Sequence, residues 1–177
     1  MKRRGNSRAP APRPSVPNPR PHLLNAVLAL VRAARSTPGV LRISLLGSLA
    51  TDKPVPKDAD VLVAIDAAMD LGPLARLGRR LQGTAQTINL GADIFLADAS
   101  GRYLGRICHY RECRPRVACR ALSCGRRQHL NDDLQIVTLS PALISAPPID
   151  LWPRIVARCA VPANTQALLV AKLDDGP

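Results

Sequence analysis

Aromatic side chains are nearly missing from this chain: one Trp, two Tyr and one Phe among 177 residues. Any core must therefore be assembled from Leu, Val, Ile and Ala. Base stacking has few candidates, with Tyr103 and Tyr110 the only aromatic residues in the basic stretch. Long apolar runs are missing too. The stretch Leu23 to Val31 is too short to cross a bilayer and no other does better, so no membrane association is expected. The basic start is not followed by an apolar segment, which argues against a secretory signal. Five cysteines, an odd number, then fit a reducing compartment, and a cytoplasmic location is expected. Nearly half of the residues are apolar, which excludes a wholly disordered chain.

What is present is unevenly placed. The formal charge is +12. Six basic residues (Lys2, Arg3, Arg4, Arg8, Arg13, Arg20) lie in the first twenty positions, where no acid occurs, and eight arginines between Arg102 and Arg127 face a single Glu112. The acids concentrate between Asp52 and Asp98. Such asymmetry suits attraction of RNA, DNA or a nucleotide, and equally suits a compositional bias toward Ala, Arg and Pro. Six prolines between Pro10 and Pro21 make residues 1–21 a stiff, extended, basic tail rather than a folded element.

The apolar spacing from His22 to Arg35 predicts a helix, stopped by Ser36-Thr37-Pro38-Gly39. Val40 to Leu46 predicts a strand, followed at once by Gly47-Ser48. Asp58 to Ile65 predicts a second strand, apolar on both faces beyond its acids. A helix is expected over about 67–82, N-capped by Asp66 and ended by Gly83, then a turn or short strand over Thr84 to Asn89 and a third strand at Ala92 to Ala97. Residues 22–98 thus predict an α/β or α+β core, a mixed sheet flanked by helices. Residues 99–177 are expected to form an irregular Arg/Cys-rich extension packed on that core. Within it we expect a helix beginning near Arg102, a strand at Leu134 to Leu139, a turn at Asp132-Asp133, Trp152 as an apolar anchor and a final helix over Asn164 to Lys172.

The chemistry concentrates in Ile43 to Asp66. Asp58 and Asp60, two apart on a strand, leave the same face with backbones about 6–7 Å apart. Carboxylates so close repel unless solvated or bridged by a cation. Oxygen donors in this arrangement suit Mg²⁺, which takes one or two carboxylates plus phosphates and water. Gly47-Ser48 permits close backbone approach and brings a hydroxyl for a phosphate oxygen.

Leu46-Gly47-Ser48 followed by Asp58-Ala59-Asp60-Val61 resembles the signature of the polymerase-β-like nucleotidyltransferase superfamily, with Asp93 in GADIFLAD where that family has a third acid. The likeness covers about a third of the chain and is greatest to the small, minimal members, among them the antitoxins of some bacterial toxin pairs. It implies an enzyme that moves a nucleoside monophosphate from a nucleoside triphosphate to a hydroxyl acceptor. It further implies Asp58, Asp60 and Asp93 at one or two Mg²⁺ ions, Asp93 alternatively taking the acceptor's proton, and Gly47 and Ser48 at the β,γ-phosphates. The acceptor class (protein, RNA or small molecule) stays open. The chain departs from the family pattern after Gly-Ser, where Leu49-Ala50-Thr51 replaces an arginine, and at Lys57 before the first acid. Lys53 or Lys57 is a candidate for the compensating charge.

Cys108, His109, Cys113, Cys119, Cys124 and His129 form a further cluster whose C-x4-C spacings depart from common zinc pairs. A structural Zn²⁺ and buried thiols are its two readings. Two other functions stand beside the enzyme: a nucleic-acid binder using the tail and Arg102–Arg127, and a toxin-neutralising protein on the same fold.

Overall fold

A computed structural model describes residues 18–111 and 127–174. Helix α1 (Arg20–Ala34) leads into strand β1 (Val40–Leu45), a single 3-10 turn (Gly47–Ala50) and strand β2 (Asp58–Ile65). Helix α2 (Gly72–Gln86) returns the chain to β3 (Gly91–Asp98), which runs parallel to β2. Strands β4 (Tyr103–Ile107) and β5 (Leu130–Asn131) extend that edge. The short helix α3 (Pro141–Ser145) precedes β6 (Ile149–Trp152) and β7 (Val156–Ala157), which extend the other edge. The last helix, α4, joins Ala163–Thr165, a π-helical Gln166–Val170 and Ala171–Asp174. The result is one seven-stranded mixed sheet in the order β5-β4-β3-β2-β1-β6-β7, antiparallel everywhere except β2–β3. No helix among the described residues is long and apolar enough to cross a membrane.

Alternation along β2 divides its residues between two environments. Ala59, Val61, Val63 and Ile65 face the principal core, beneath α1 and α2 and alongside Ile43, Leu45, Ile94 and Leu96. Leu62 faces the opposite way into a smaller cluster with Leu46, Phe95, Ala97 and Ile144. That second cluster is covered by α3 and by Val137 and Leu139. Asp58 and Asp60 lie on the same face as Leu62, beyond the edge of this cover. A sheet buried on both sides in its middle and polar at one end is what the run Asp-Ala-Asp-Val-Leu-Val-Ala-Ile dictates.

The observed element limits correct several expectations. Helix α2 starts at Gly72, because Asp70 Oδ1 accepts the Gly72 N–H at 2.9 Å, while Asp66 spends its carboxylate on the Ala68 N–H at 2.8 Å. Gly83 lies inside the helix, which continues to Gln86; an exposed glycine weakens a helix without ending it. No helix begins near Arg102. The Asp98 carboxylate accepts the N–H and hydroxyl of Ser100 and the N–H and Nε of Arg102, closing a tight turn that sends the chain back as β4. Those bonds, the Ser100 hydroxyl first, hold the Asp98 carboxyl down at about 2. Leu134 to Leu139 is a turn and an extended segment rather than a strand, because buried Asp133 Oδ1 accepts the N–H groups of Gln135 and Ile136. The turn expected at Asp132-Asp133 lies just after them, over Leu134 to Ile136, and Trp152 packs half-buried against the principal core.

Arg20 also departs from expectation. It is not part of an extended tail; it opens α1 and is only 4% exposed. Its Nη2 donates to the carbonyls of Ser48 (3.0 Å), Thr51 (2.7 Å) and Lys53 (2.7 Å), and its Nη1 to that of Leu49 (3.1 Å) and to Thr165 Oγ1 (3.4 Å). Thr165 Oγ1 donates to the same Leu49 carbonyl at 2.8 Å. The guanidinium thus satisfies the carbonyls of an irregular loop that no strand could satisfy. Replacing it with Met removes the Arg20 donors to the Thr51 and Lys53 carbonyls and leaves the Ser48 and Leu49 carbonyls only their bonds from Thr51 and Thr165. Arg20→Met is expected to destabilise the protein by about 3 kcal/mol or more, read from the urea unfolding midpoint; a loss below about 0.5 kcal/mol would contradict the clamp.

Candidate active site

The parallel pairing of β2 with β3 sets Asp60 opposite Asp93 and Asp58 opposite Gly91. Residues paired in this way point to the same side, so all three carboxylates emerge on one sheet face. Asp58 is exposed, and Asp60 and Asp93 are half-buried. Asp58 leans toward β3: a Cβ at position 91 would stand 2.6 Å from its Oδ1, and only glycine leaves that room. Asp60 leans the other way, onto the bend after β1, where a Cβ at position 47 would overlap its Oδ2. Gly47 also has φ +62, a conformation that side chains resist. The Leu46 N–H donates to the Asp60 carbonyl at 2.9 Å, so backbone as well as side chain ties the Gly-Ser bend to Asp60. Ser48 is half-buried, its carbonyl held by Arg20, and its hydroxyl has no protein partner among the described residues.

Asp93 has company that the other two lack. Arg106 Nη1 lies 3.2 Å and His109 Nε2 3.7 Å from its Oδ1. Burial raises the Asp60 carboxyl to about 6, and the negative charges of Asp58 and Asp93 add to the effect. Burial likewise lowers His109 below the usual imidazole value; Asp93 works against that shift and Arg106 with it. Tyr103 is pushed up to about 12, chiefly by burial. Its hydroxyl is buried without a hydrogen-bond partner among the described residues.

Asp58, Asp60, Asp93, Gly47 and Ser48 are therefore brought to one place. Among the described residues no three His, Cys, Asp or Glu side chains are gathered tightly enough to form a ready-made metal cage. Asp58 and Asp60 remain a two-carboxylate set, the number Mg²⁺ uses alongside phosphate and water. The raised Asp60 carboxyl marks negative charge that the fold leaves partly uncompensated, and a divalent cation would compensate it. The donor set fits the ion.

Comparison with protein-family models, curated proteins and solved structures finds no match to this chain. The chemistry of the site is argued from its own geometry.

Two neighbours of the site, Arg106 and His109, belonged to other patterns in the sequence: Arg106 to the basic stretch, His109 to the cysteine cluster. The turn Asp98-Ala99-Ser100-Gly101 was the signal available for them, since a hairpin there lays β4 beside Asp93. Cys113, Cys119 and Cys124 lie outside the described residues, and the zinc expectation with them; Cys108 is buried. Lys53 and Lys57 are exposed, and no ion pair holds either among the described residues.

Because the folded state raises the Asp60 pKa, it holds that proton more tightly than the unfolded chain does. The associated stability is present at low pH and is lost as pH rises from the ordinary carboxylate range through about 6. Asp60→Asn mimics the protonated form. At pH 7.5 it is expected to stabilise the protein by on the order of 1–2 kcal/mol, a gain that vanishes below pH of about 4; urea titrations at the two pH values measure it. Gly47→Ala is expected to cost about 1–3 kcal/mol and to lower the Asp60 pKa as the carboxylate is pushed outward, read by NMR titration of the carboxyl carbon.

Proposed function

We propose that this protein is a Mg²⁺-dependent nucleotidyltransferase that moves a nucleoside monophosphate from a nucleoside triphosphate onto a hydroxyl acceptor. One observation carries the reading: Asp58, Asp60 and Asp93 share an open sheet face directly beside Gly47-Ser48, with Asp60 wedged against Gly47. In the reaction the acceptor oxygen forms a bond to the α-phosphorus as the bond from α-phosphorus to the bridging oxygen breaks. Pyrophosphate leaves, and the acceptor's proton passes to a carboxylate or to water.

Asp58 and Asp60 would hold the cation. Bound there, Mg²⁺ supplies positive charge to the triphosphate and to the oxygens entering and leaving the displacement. Gly47 lets the triphosphate approach the backbone without a Cβ in the way, and the unpartnered Ser48 hydroxyl donates to a phosphate oxygen. Arg20 keeps this bend in place from behind through the Ser48 and Leu49 carbonyls. The Asp93 oxygen not engaged by Arg106 and His109 is the group available to take the acceptor's proton.

The nucleic-acid-binding alternative draws less support. Arg20 is buried, Arg102 and Arg106 are paired with Asp98 and Asp93, and Arg127 donates to the Met69 carbonyl. Arg20, Arg106 and Arg127 are thereby engaged with the protein itself, while Arg102 stays largely exposed beside Asp98.

Incubation with Mg²⁺ and each α-labelled triphosphate, with protein, RNA and small-molecule acceptors, tests the proposal. Label transfer by the wild-type chain is expected, with a loss of at least about 100-fold in Asp58→Asn/Asp60→Asn. Equal transfer by both proteins would refute it.

A further inference from the structure

We infer that Arg106 takes the place of a second metal ion, so that the site holds a single divalent cation, on Asp58 and Asp60. This rests on the metal reading of those two residues given above and goes beyond it by removing Asp93 from the ligand set.

The geometry is asymmetric. A two-ion site requires carboxylates that reach both ions, which sit about 3.5–4 Å apart. Asp60 and Asp93 are directly opposed across β2 and β3 and would be the natural pair for that task. Yet Asp93 Oδ1 is the acceptor for the Arg106 guanidinium at 3.2 Å and the near neighbour of His109 Nε2 at 3.7 Å, both from the strand and turn beyond β3. Arg106 is held in place by the β4 backbone, where it pairs with Phe95 on one side and Asn131 on the other. It reaches Asp93 diagonally across the sheet, two residues from its partner in register. A guanidinium carries its charge at every accessible pH, so it cannot step aside by losing a proton. A cation approaching Asp93 would meet that charge at close range.

The balance of charge agrees. Three carboxylates, one guanidinium and one divalent cation leave the cleft neutral before substrate arrives. A second divalent cation would leave it carrying two positive charges in a half-buried place. On the Asp58 side no arginine or lysine is paired with either remaining carboxylate among the described residues, so the opening for an ion is there.

Manganese titration of the full chain, followed by electron paramagnetic resonance without nucleotide, counts the ions directly. Ions belonging to the site are those lost in Asp58→Asn/Asp60→Asn. One is expected in the wild type and in Arg106→Lys, which keeps the charge. Two are expected in Arg106→Gln, the second binding at least about tenfold more tightly than any second ion in the wild type. Asp93→Asn is expected to retain the single ion, and this variant keeps the test decisive if Arg106→Gln fails to fold. Two site ions in the wild type, one in Arg106→Gln, or loss of the ion in Asp93→Asn would each overturn the inference while leaving the Asp58/Asp60 reading intact. No site ion in the wild type would instead overturn that reading, and this inference with it.

Discussion

The parallel pairing of β2 with β3 is the constraint on which the rest of the site depends. Two strands joined by a helical crossover must run side by side in one direction, and their register then sets every cross-strand neighbour. Here the register places Asp60 beside Asp93 and gives Asp58 a glycine to lean over. A slip of one residue would send Asp93 into the principal core and bring Ala92 or Ile94 to the acid face. Burial of Val61, Val63, Ile94 and Leu96 beneath α1 and α2 makes such a slip prohibitive. The core on one face of the sheet thus fixes the carboxylates that emerge on the other.

The same division of labour appears around the loop after β1. The bend at Gly47-Ser48 and the polar segment that follows form no ladder with any strand, so their carbonyls need other donors. Arg20 provides these from the first turn of α1, and Thr165 from α4. Two helices distant in sequence therefore hold one irregular loop. A buried guanidinium facing four carbonyl dipoles is a rigid arrangement, and rigidity is what the proposed phosphate-binding role of this bend would require.

Much of this was legible beforehand, for physical reasons. The run from Asp58 to Ile65 has one consistent reading, because acids at one end and apolar residues along both faces suit a central strand with a polar tip. The span observed for β2 is the one expected. The shared face of Asp58 and Asp60 followed from their spacing, while their meeting with Gly47-Ser48 rests on the antiparallel pairing of β1 with β2. Arg20 and α2 were misjudged where the deciding partner lay elsewhere: the carbonyls of Ser48 to Lys53 for Arg20, and Asp70 in place of Asp66 for the start of the helix. Leu134 to Leu139 had the composition of a strand, but the buried Asp133 turn removed the N–H groups a ladder would have used.

The amino-acid order by itself determined which residues stand on which face of each strand, where the chain must bend, and that three acids are available near a Gly-Ser turn. Periodicity and chain stiffness act within a few residues, so these features are local. Only the tertiary structure decided that Asp93 meets Arg106 and His109 while Asp60 is pressed against Gly47. Those contacts depend on strand order, register and burial, which arise when segments far apart in the chain compete for the same core.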